Sequence, residues 1–424
     1  MSFASRASQR YQVIVSEPVW SAALRPLTRN RQWIAAGLLR REVDRQPPAL
    51  IVGPLTVDSS TPIGRNRAPL ADWIVTAMPE RGSPPNVTEW IQRLAPLRGQ
   101  LLVILLVGLG DQQRDWRGWT VEQGQVQPLS GFRVIGQGMI QVGSEIAGHA
   151  MPRFEFADRW SRTVHAVGGE AAFAKVHSAK VVVVGVSRSG NLAAAMLASL
   201  GVGRLGLIDG DHLEPHNLDC MILAAEDDLG QNKALLIARR LAAFRSDLAI
   251  SISTRRLGDR FEEPAISDAD LFITCVDQDG PRLRVAKLAT ERLVPHLDIG
   301  TGVRRGENGR LDLGADVRLL LPGRGCVRCV GGLRNLAEAE YELRSPSGPL
   351  PRRSLARWDA NGRVGSLVTL NSMAVSTGIQ SWLDLLSGAL QSSIWHRIRW
   401  QNGGSWHVDS GLVTGDAQCL VCRS

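Results

Sequence analysis

Between Lys180 and Asp211 the spacing of apolar and polar positions changes period twice. Val181 to Val184 is an unbroken β-branched run, which suits a strand buried on both faces of a parallel sheet. Gly185 and Gly190 bracket a tight loop. From Asn191 the apolar positions fall at Leu192, Ala193, Met196, Leu197 and Leu200, a helical stripe that stops at Gly201. A second apolar run, Leu205 to Ile208, ends in Asp209, about 20 residues beyond the glycines. In nucleotide-binding folds the helix N-terminus of such a unit faces phosphate and the acid takes ribose hydroxyls. The loop reads G-V-S-R-S-G and lacks the middle glycine of G-x-G-x-x-G, so on its own it predicts a plain turn as readily as a nucleotide site.

The alternation continues downstream. Ile250 to Ser253, Leu271 to Cys275 and His296 to Ile299 predict strands, while Asn232 to Phe244 and Pro281 to Leu293 predict helices. Leu311 to Leu321 extends the sheet, Ser366 to Ser387 is a long apolar helix, and Ser392 to Val408 reads as closing strands. This order predicts an α/β fold, a doubly wound, Rossmann-like parallel sheet. Ahead of it, Ala157 to Val176 has helical patterning with Arg159 and Arg162 three apart on one face, and Gly148 to Phe156 reads as a linker. Residues 1 to about 150 predict a smaller α/β domain. Its strands are expected at Tyr11 to Val15, Ala49 to Val57, Trp73 to Thr76 and Gln100 to Gly108, with a helical pattern over Val19 to Glu42 and a loop at Gly82 to Pro85. Trp116 to Gln141 alternates like antiparallel strands, with turns at Gln123-Gly124 and Ser130-Gly131. The expected division is 1–150 and 151–424.

A chain of 424 residues exceeds one typical core, which agrees with that division. No long apolar segment follows the first basic residues, and runs such as Leu101 to Leu109 are too short to span a bilayer. A cytoplasmic location without a membrane partner is expected. The net charge of +8 comes from arginines spread through the chain, so nucleic acid is not an expected partner. Four of the six cysteines form two Cys-x-x-Cys pairs, Cys326 with Cys329 and Cys419 with Cys422. In a cytoplasmic chain these supply four soft thiolates for a tetrahedral, structural Zn²⁺; two redox pairs are the alternative.

The polar landmarks resemble those of the ThiF/MoeB/HesA family, the ubiquitin-activating-enzyme-like adenylyltransferases. The resemblance rests on the glycine loop, Gly201-Val202-Gly203, Leu207-Ile208-Asp209-Gly210-Asp211, Asn217-Leu218, Gly230-Gln231-Asn232-Lys233-Ala234, and Asp277 five residues before Arg282. The two cysteine pairs and an Arg-x-x-Arg at Arg159 and Arg162 complete it over roughly residues 155 to 424. It implies that ATP adenylates the C-terminal carboxylate of a ubiquitin-like or sulfur-carrier protein ending in Gly, within a homodimer. The nucleotide would lie among Gly185, Ser187, Arg188, Gly190, Asp209, Asp211, Asn217, Lys233 and Asp277. By the same resemblance Lys233 meets the β- and γ-phosphates, Asp277 holds Mg²⁺, and Arg162 reaches the partner's ATP.

Two departures bear on this expectation. Ser187 and Arg188 stand where relatives have glycine, and Cys220 stands where they carry an arginine, so a phosphate-neutralising charge is missing unless Arg188 supplies it. No cysteine lies between Cys329 and Cys419, so adenylation without an enzyme thioester is expected; Cys275 reads as core, and Cys220 as core or reactive. Adenylation of a peptide or small-molecule carboxylate, and a non-catalytic binding scaffold, are the rival readings. The first half resembles a JAB/MPN metalloprotease domain in strand content and order. That family's His-x-His-Pro motif would fall at Thr76-Ala77-Met78-Pro79, and no His precedes His149, so no zinc site is expected there.

Overall fold

The computed structural model describes residues 11–29, 35–42, 49–55, 73–77, 101–107, 116–122, 125–136, 141–143, 158–258, 264–305, 311–344, 363–401 and 405–422. The expected loop at Gly82 to Pro85, the linker at Gly148 to Phe156 and the turn at Gln123-Gly124 lie outside them. Contacts divide the chain into two compact units, Met1–Arg153 and Phe154–Ser424.

The first unit contains β1 (Gln12–Ser16), α1 (Glu17–Arg29), β2 (Ala35–Glu42), β3 (Ala49–Leu55), β4 (Trp73–Ala77), β5 (Leu102–Val107), β6 (Trp116–Glu122), β7 (Gln125–Pro128), β8 (Gly131–Ile135) and β9 (Gln141–Gly143). They form one mixed sheet in the order β7-β6-β5-β4-β2-β3-β1-β8-β9. Val13, Val15, Leu50 and Phe132 form its core, and the Trp20 ring of α1 closes on Phe132 at 4.8 Å. The helical pattern expected from Val19 to Glu42 is corrected here. The helix stops at Arg29, and Ala35–Glu42 is a strand paired with β3 through Leu39 to Val52 and with β4 through Ala35 to Val75. Ladder hydrogen bonds on both edges override the local helical preference of Leu and Arg. Thr76 and Ala77 end β4, whereas Met78 and Pro79 lie outside the described residues.

The second unit opens with α2 (Ser161–Ala166) and α3 (Glu170–Ser178). Gly168 and Gly169, both at φ +100°, split what the pattern predicts as one helix. Then come β10 (Lys180–Val184), α4 (Arg188–Leu200), β11 (Arg204–Ile208), α5 (Lys233–Phe244), β12 (Ala249–Ser253), β13 (Leu271–Thr274), α6 (Asp279–Arg292), β14 (His296–Arg305) and β15 (Leu311–Leu320). The chain closes with α7 (Leu336–Arg344), β16 (Arg363–Gly365), α8 (Val368–Ser387), β17 (Ile394–Gln401) and β18 (Ser405–Leu412). The short α7 has no counterpart in the predicted elements.

The sheet order is β12-β11-β10-β13-β14-β15-β17-β18, with β16 paired to β14. From β12 to β14 neighbours are parallel, and from β14 onward antiparallel. Every residue of β10 is buried, as its apolar run predicts. Helix α8 covers one face of β14 and β15, where a methyl on Gly378 would stand 3.0 Å from Leu297 and 3.2 Å from Val317. After β10 the chain turns to β11 on one side and later returns to β13 on the other. Strand order therefore reverses at β10, and a crevice opens at the carboxyl ends of β10 and β13.

Candidate functional site

The glycine loop closes this crevice from below. Gly185 has φ +81°, and a Cβ there would stand 2.8 Å from the Cys275 carbonyl oxygen. A Cβ on Gly190 would stand 1.8 Å from the Gly185 carbonyl, so both glycines let α4 start directly over β10 and β13. The fully buried Asn191 ties the loop to its neighbour: its Nδ2 lies 2.6 Å from the Ser187 carbonyl and 3.2 Å from that of Cys220. Sequence reasoning did not single out Asn191.

Above the loop is a cavity of about 930 Å³. Its wall includes Gly185, Ser187, Arg188, Asp209, Asp211, Asn217, Lys233 and Asp277, eight of the expected site residues brought together from the ends of β10, β11 and β13, the turn at Asn217 and the first turn of α5. Gly190 lies beneath the loop and is not on the wall. Arg162 is exposed on α2, also away from the wall of its own chain. The start of α2 is anchored through Trp160, whose ring lies 4.8 Å from the Arg245 guanidinium and 5.9 Å from Phe173.

Asp209 already holds the loop. Its Oδ2 accepts the Val186 amide and its Oδ1 the Asp211 amide, each at 2.9 Å. Each oxygen keeps a second lone pair for a hydroxyl in the cavity. Burial raises the pKa of this carboxyl, against the lowering pull of the Asp211 amide and the Lys233 charge. Asn232, which the sequence motif includes without a role, caps α5 by accepting from the Ala234 and Leu235 amides, while its Nδ2 donates to the Asp209 and Asp211 carbonyls. This presents Lys233, only 7% exposed, with its Nζ 3.9 Å from Asp211. Asp211 in turn pairs with Arg256 at 2.7 Å.

The two candidate acids after β13 separate cleanly. Asp277 is exposed and lines the cavity. Asp279 is 1% exposed in the first turn of α6, accepts the Arg334 amide at 3.0 Å and faces Arg282. Only the former presents a hard oxygen ligand that suits Mg²⁺ beside phosphate. Cys220 is buried and its thiol donates to the Ser366 carbonyl; burial, then Asp219, pushes its pKa up, while Arg188 pulls the other way. Arg188 thus stands near the position of the missing arginine.

Arg282 and Arg318 carry the wall into a buried polar network whose connections the sequence reading did not foresee. Thr274 Oγ1 donates to Asp298 at 2.7 Å and meets His296 Nε2 at 2.9 Å. The hydroxyl has one proton, so the neutral His296 donates from Nε2. Arg282 and Arg318 reach Asp298 at 3.0 and 2.9 Å. Burial would raise the Asp298 pKa, but Arg282 and Arg318 outweigh it and hold the carboxyl below its usual range.

Cys326, Cys329, Cys419 and Cys422 converge with all four sulfurs within 4.8 Å of one another. Neighbouring Sγ atoms are 3.6, 3.7 and 3.9 Å apart. Tetrahedral Zn–S bonds of about 2.3 Å require sulfur separations of about 3.8 Å, so the cluster fits zinc. The Cys422 thiol and backbone amides hold Cys326 low, to about 5, whereas Cys326 in turn pushes Cys422 up, so without a cation one anion excludes the next.

The profile of the ThiF family matches residues 160–388, which include this cavity's glycine loop, Lys233 and Asp277. The chain belongs to the ThiF family. Among ThiF relatives, the ThiS adenylyltransferase of Escherichia coli (strain K12) is 24% identical over 242 residues, covering 56% of this chain and 88% of the relative. The protein HesA of Nostoc sp. is 31% identical over 107 residues, 25% of this chain and 42% of HesA. The adenylyltransferase and sulfurtransferase Uba4 of Aspergillus niger is 31% identical over 115 residues, and the chain spans about a quarter of its length, 24%. A crystal structure of E. coli MccB with ATP aligns with a TM-score of 0.48 at 22% identity, covering 63% of this chain and 74% of that one. Among the described residues no helix is long and apolar enough to cross a membrane.

Proposed function

We propose that the second unit adenylates the C-terminal carboxylate of a sulfur-carrier or ubiquitin-like protein. The observation that carries this reading is the one cavity that gathers Asp209, Lys233, Arg188 and Asp277 at the strand-order reversal of a ThiF unit. ThiS adenylyltransferase and Uba4 relatives support the same reaction class. Here Asp209 orients ribose, Lys233 and Arg188 neutralise phosphate, and Asp277 holds Mg²⁺ when it is bound. The carboxylate oxygen attacks the α-phosphorus, the bond to pyrophosphate breaks, and pyrophosphate leaves. Two anions must approach, so these residues act by position and charge rather than by proton transfer.

Arg162 serves as a finger into the partner's site in a homodimer, which agrees with its exposure on an anchored helix away from its own cavity. A thioester step is not part of this reading: burial raises the thiol pKa of both Cys220 and Cys275, the opposite of nucleophile activation. Pyrophosphate exchange that depends on a carrier protein ending in Gly tests the reaction. Exchange driven instead by a peptide or small-molecule acid would change the substrate class. Mg-ATP binding without any exchange would favour the scaffold reading that Ser187 and Cys220 motivate.

A further inference from the structure

The cavity wall continues past the nucleotide end across β14 and β15, where Gly300, Gly302 and Gly314 line it. Gly302 faces Gly314 in the ladder, and Gly300 faces Asp316. None of the three has a positive φ. A methyl on Gly302 would meet nothing within 4 Å, and one on Gly314 would stand an ordinary 3.6 Å from the Ile398 carbonyl. Neither backbone conformation nor packing requires glycine at 302 or 314, so the missing side chains serve the space above them. Paired residues share a face of a sheet, and this bare floor ends at the β17 neighbour of Gly314, which is Arg399.

Arg397 and Arg399, two apart on β17, both line the cavity, with Ile398 between them buried. Of the nearby acids, Asp316 and Asp409 are occupied in orienting arginines, while the exposed Asp312, two residues before Gly314 on β15, also lines this end of the cavity. Asp316 Oδ1 accepts Arg397 Nε at 2.8 Å and Trp395 Nε1 at 3.1 Å, while its Oδ2 meets Arg318 at 3.1 Å. The Trp395 ring lies 4.9 Å from the Arg397 guanidinium, and Asp409 pairs with Arg399. Among the described residues Arg397 uses only Nε, which leaves its terminal nitrogens as a planar donor fork of the kind that takes a carboxylate bidentately.

We propose that this trough holds the extended C-terminal segment of the substrate, and that Arg397, assisted by Arg399, reads an acidic side chain in it. The inference rests on the adenylation reading, which puts the reacting carboxylate beside Lys233 and Asp277. Three strand-to-strand steps separate β13 from β17. At about 4.8 Å each they span roughly 14 Å, which an extended chain covers in roughly four residues. The recognised acid therefore lies on the order of four residues before the terminal glycine.

The test uses the full chain with Mg²⁺ and a non-hydrolysable ATP analogue. Peptides of about eight residues, long enough to cross the trough, end in Gly-Gly and carry one Glu stepped along the preceding positions, each with a Gln counterpart. One Glu position is expected to bind about tenfold tighter than its Gln counterpart. Arg397→Gln abolishes that preference, and Gly302→Val weakens every peptide at an unchanged melting temperature. Equal affinity within every Glu/Gln pair, a preference that survives Arg397→Gln, undiminished binding to Gly302→Val, or no peptide bound by a chain that binds Mg-ATP would each overturn the trough. Absence of pyrophosphate exchange with every carboxylate would instead sink the adenylation reading.

Discussion

The ammonium of Lys233 stands 3.9 Å from the carboxylate of Asp211 at the first turn of α5, inside the cavity. Asp211 also keeps Arg256 at 2.7 Å, and Asp209 keeps the Val186 and Asp211 amides, so loss of the lysine leaves neither carboxylate without a partner. Lys233→Met is therefore expected to fold normally and to bind Mg-ATP about 10- to 100-fold more weakly, the loss of a charge-assisted contact of ~1.5–3 kcal/mol. Titration calorimetry reads this directly. Unchanged affinity would remove Lys233 from the phosphate site.

Asp277 and Asp279 are expected to fail in opposite ways. Asp277 is exposed on the wall, so Asp277→Asn should lose Mg-dependent pyrophosphate exchange at an unchanged melting temperature. Asp279 is buried and accepts the Arg334 amide, so Asp279→Asn should lower stability by about 1–3 kcal/mol. Denaturation curves beside exchange rates separate the two, and a reversed outcome would exchange their roles.

Removal of zinc should reach the cavity. The segment after Cys329 supplies Gly331, Gly332 and Arg334 to the wall, and Cys326 and Cys419 pack with Leu283 of α6 and Leu343 of α7. Cys419→Ser is expected to lose bound zinc by elemental analysis, melt at a lower temperature and bind Mg-ATP more weakly. A zinc-free chain with native melting and native affinity would contradict a structural role.

The buried histidine predicts an acid limb. Burial lowers the folded pKa of His296 from 6.5 to about 4. The unfolded chain then takes the proton more readily, so this residue's contribution is whole above pH 6.5 and declines as pH falls to about 4. The decline is about 3 kcal/mol, superimposed on a later loss from Asp298 at lower pH. His296→Gln should flatten stability against pH over that window in urea titrations. An equal slope in both chains would mean that another group titrates there.

What local pattern determined is the unit from β10 to β11 and the metal-ligand set. Both are written in spacing: an apolar run, glycines where a backbone must cross another, a helical stripe, an acid at a strand end, and cysteines in pairs. Val181 to Val184 and Cys326 with Cys329 needed no distant partner to be recognised. The strand at Ala35–Glu42 did, because its pairing with β3 and β4 outweighs a helical pattern that is real in isolation. So did the network of Thr274, Arg282, His296, Asp298 and Arg318, whose members come from three strands and a helix and acquire meaning only when the sheet sets them side by side. The facing pair Gly302 and Gly314, and the fork of Arg397 beyond them, belong to the same class. Sequence carries the periods of single elements; register between strands far apart in the chain is settled only by packing, and the far end of the cavity is made of register.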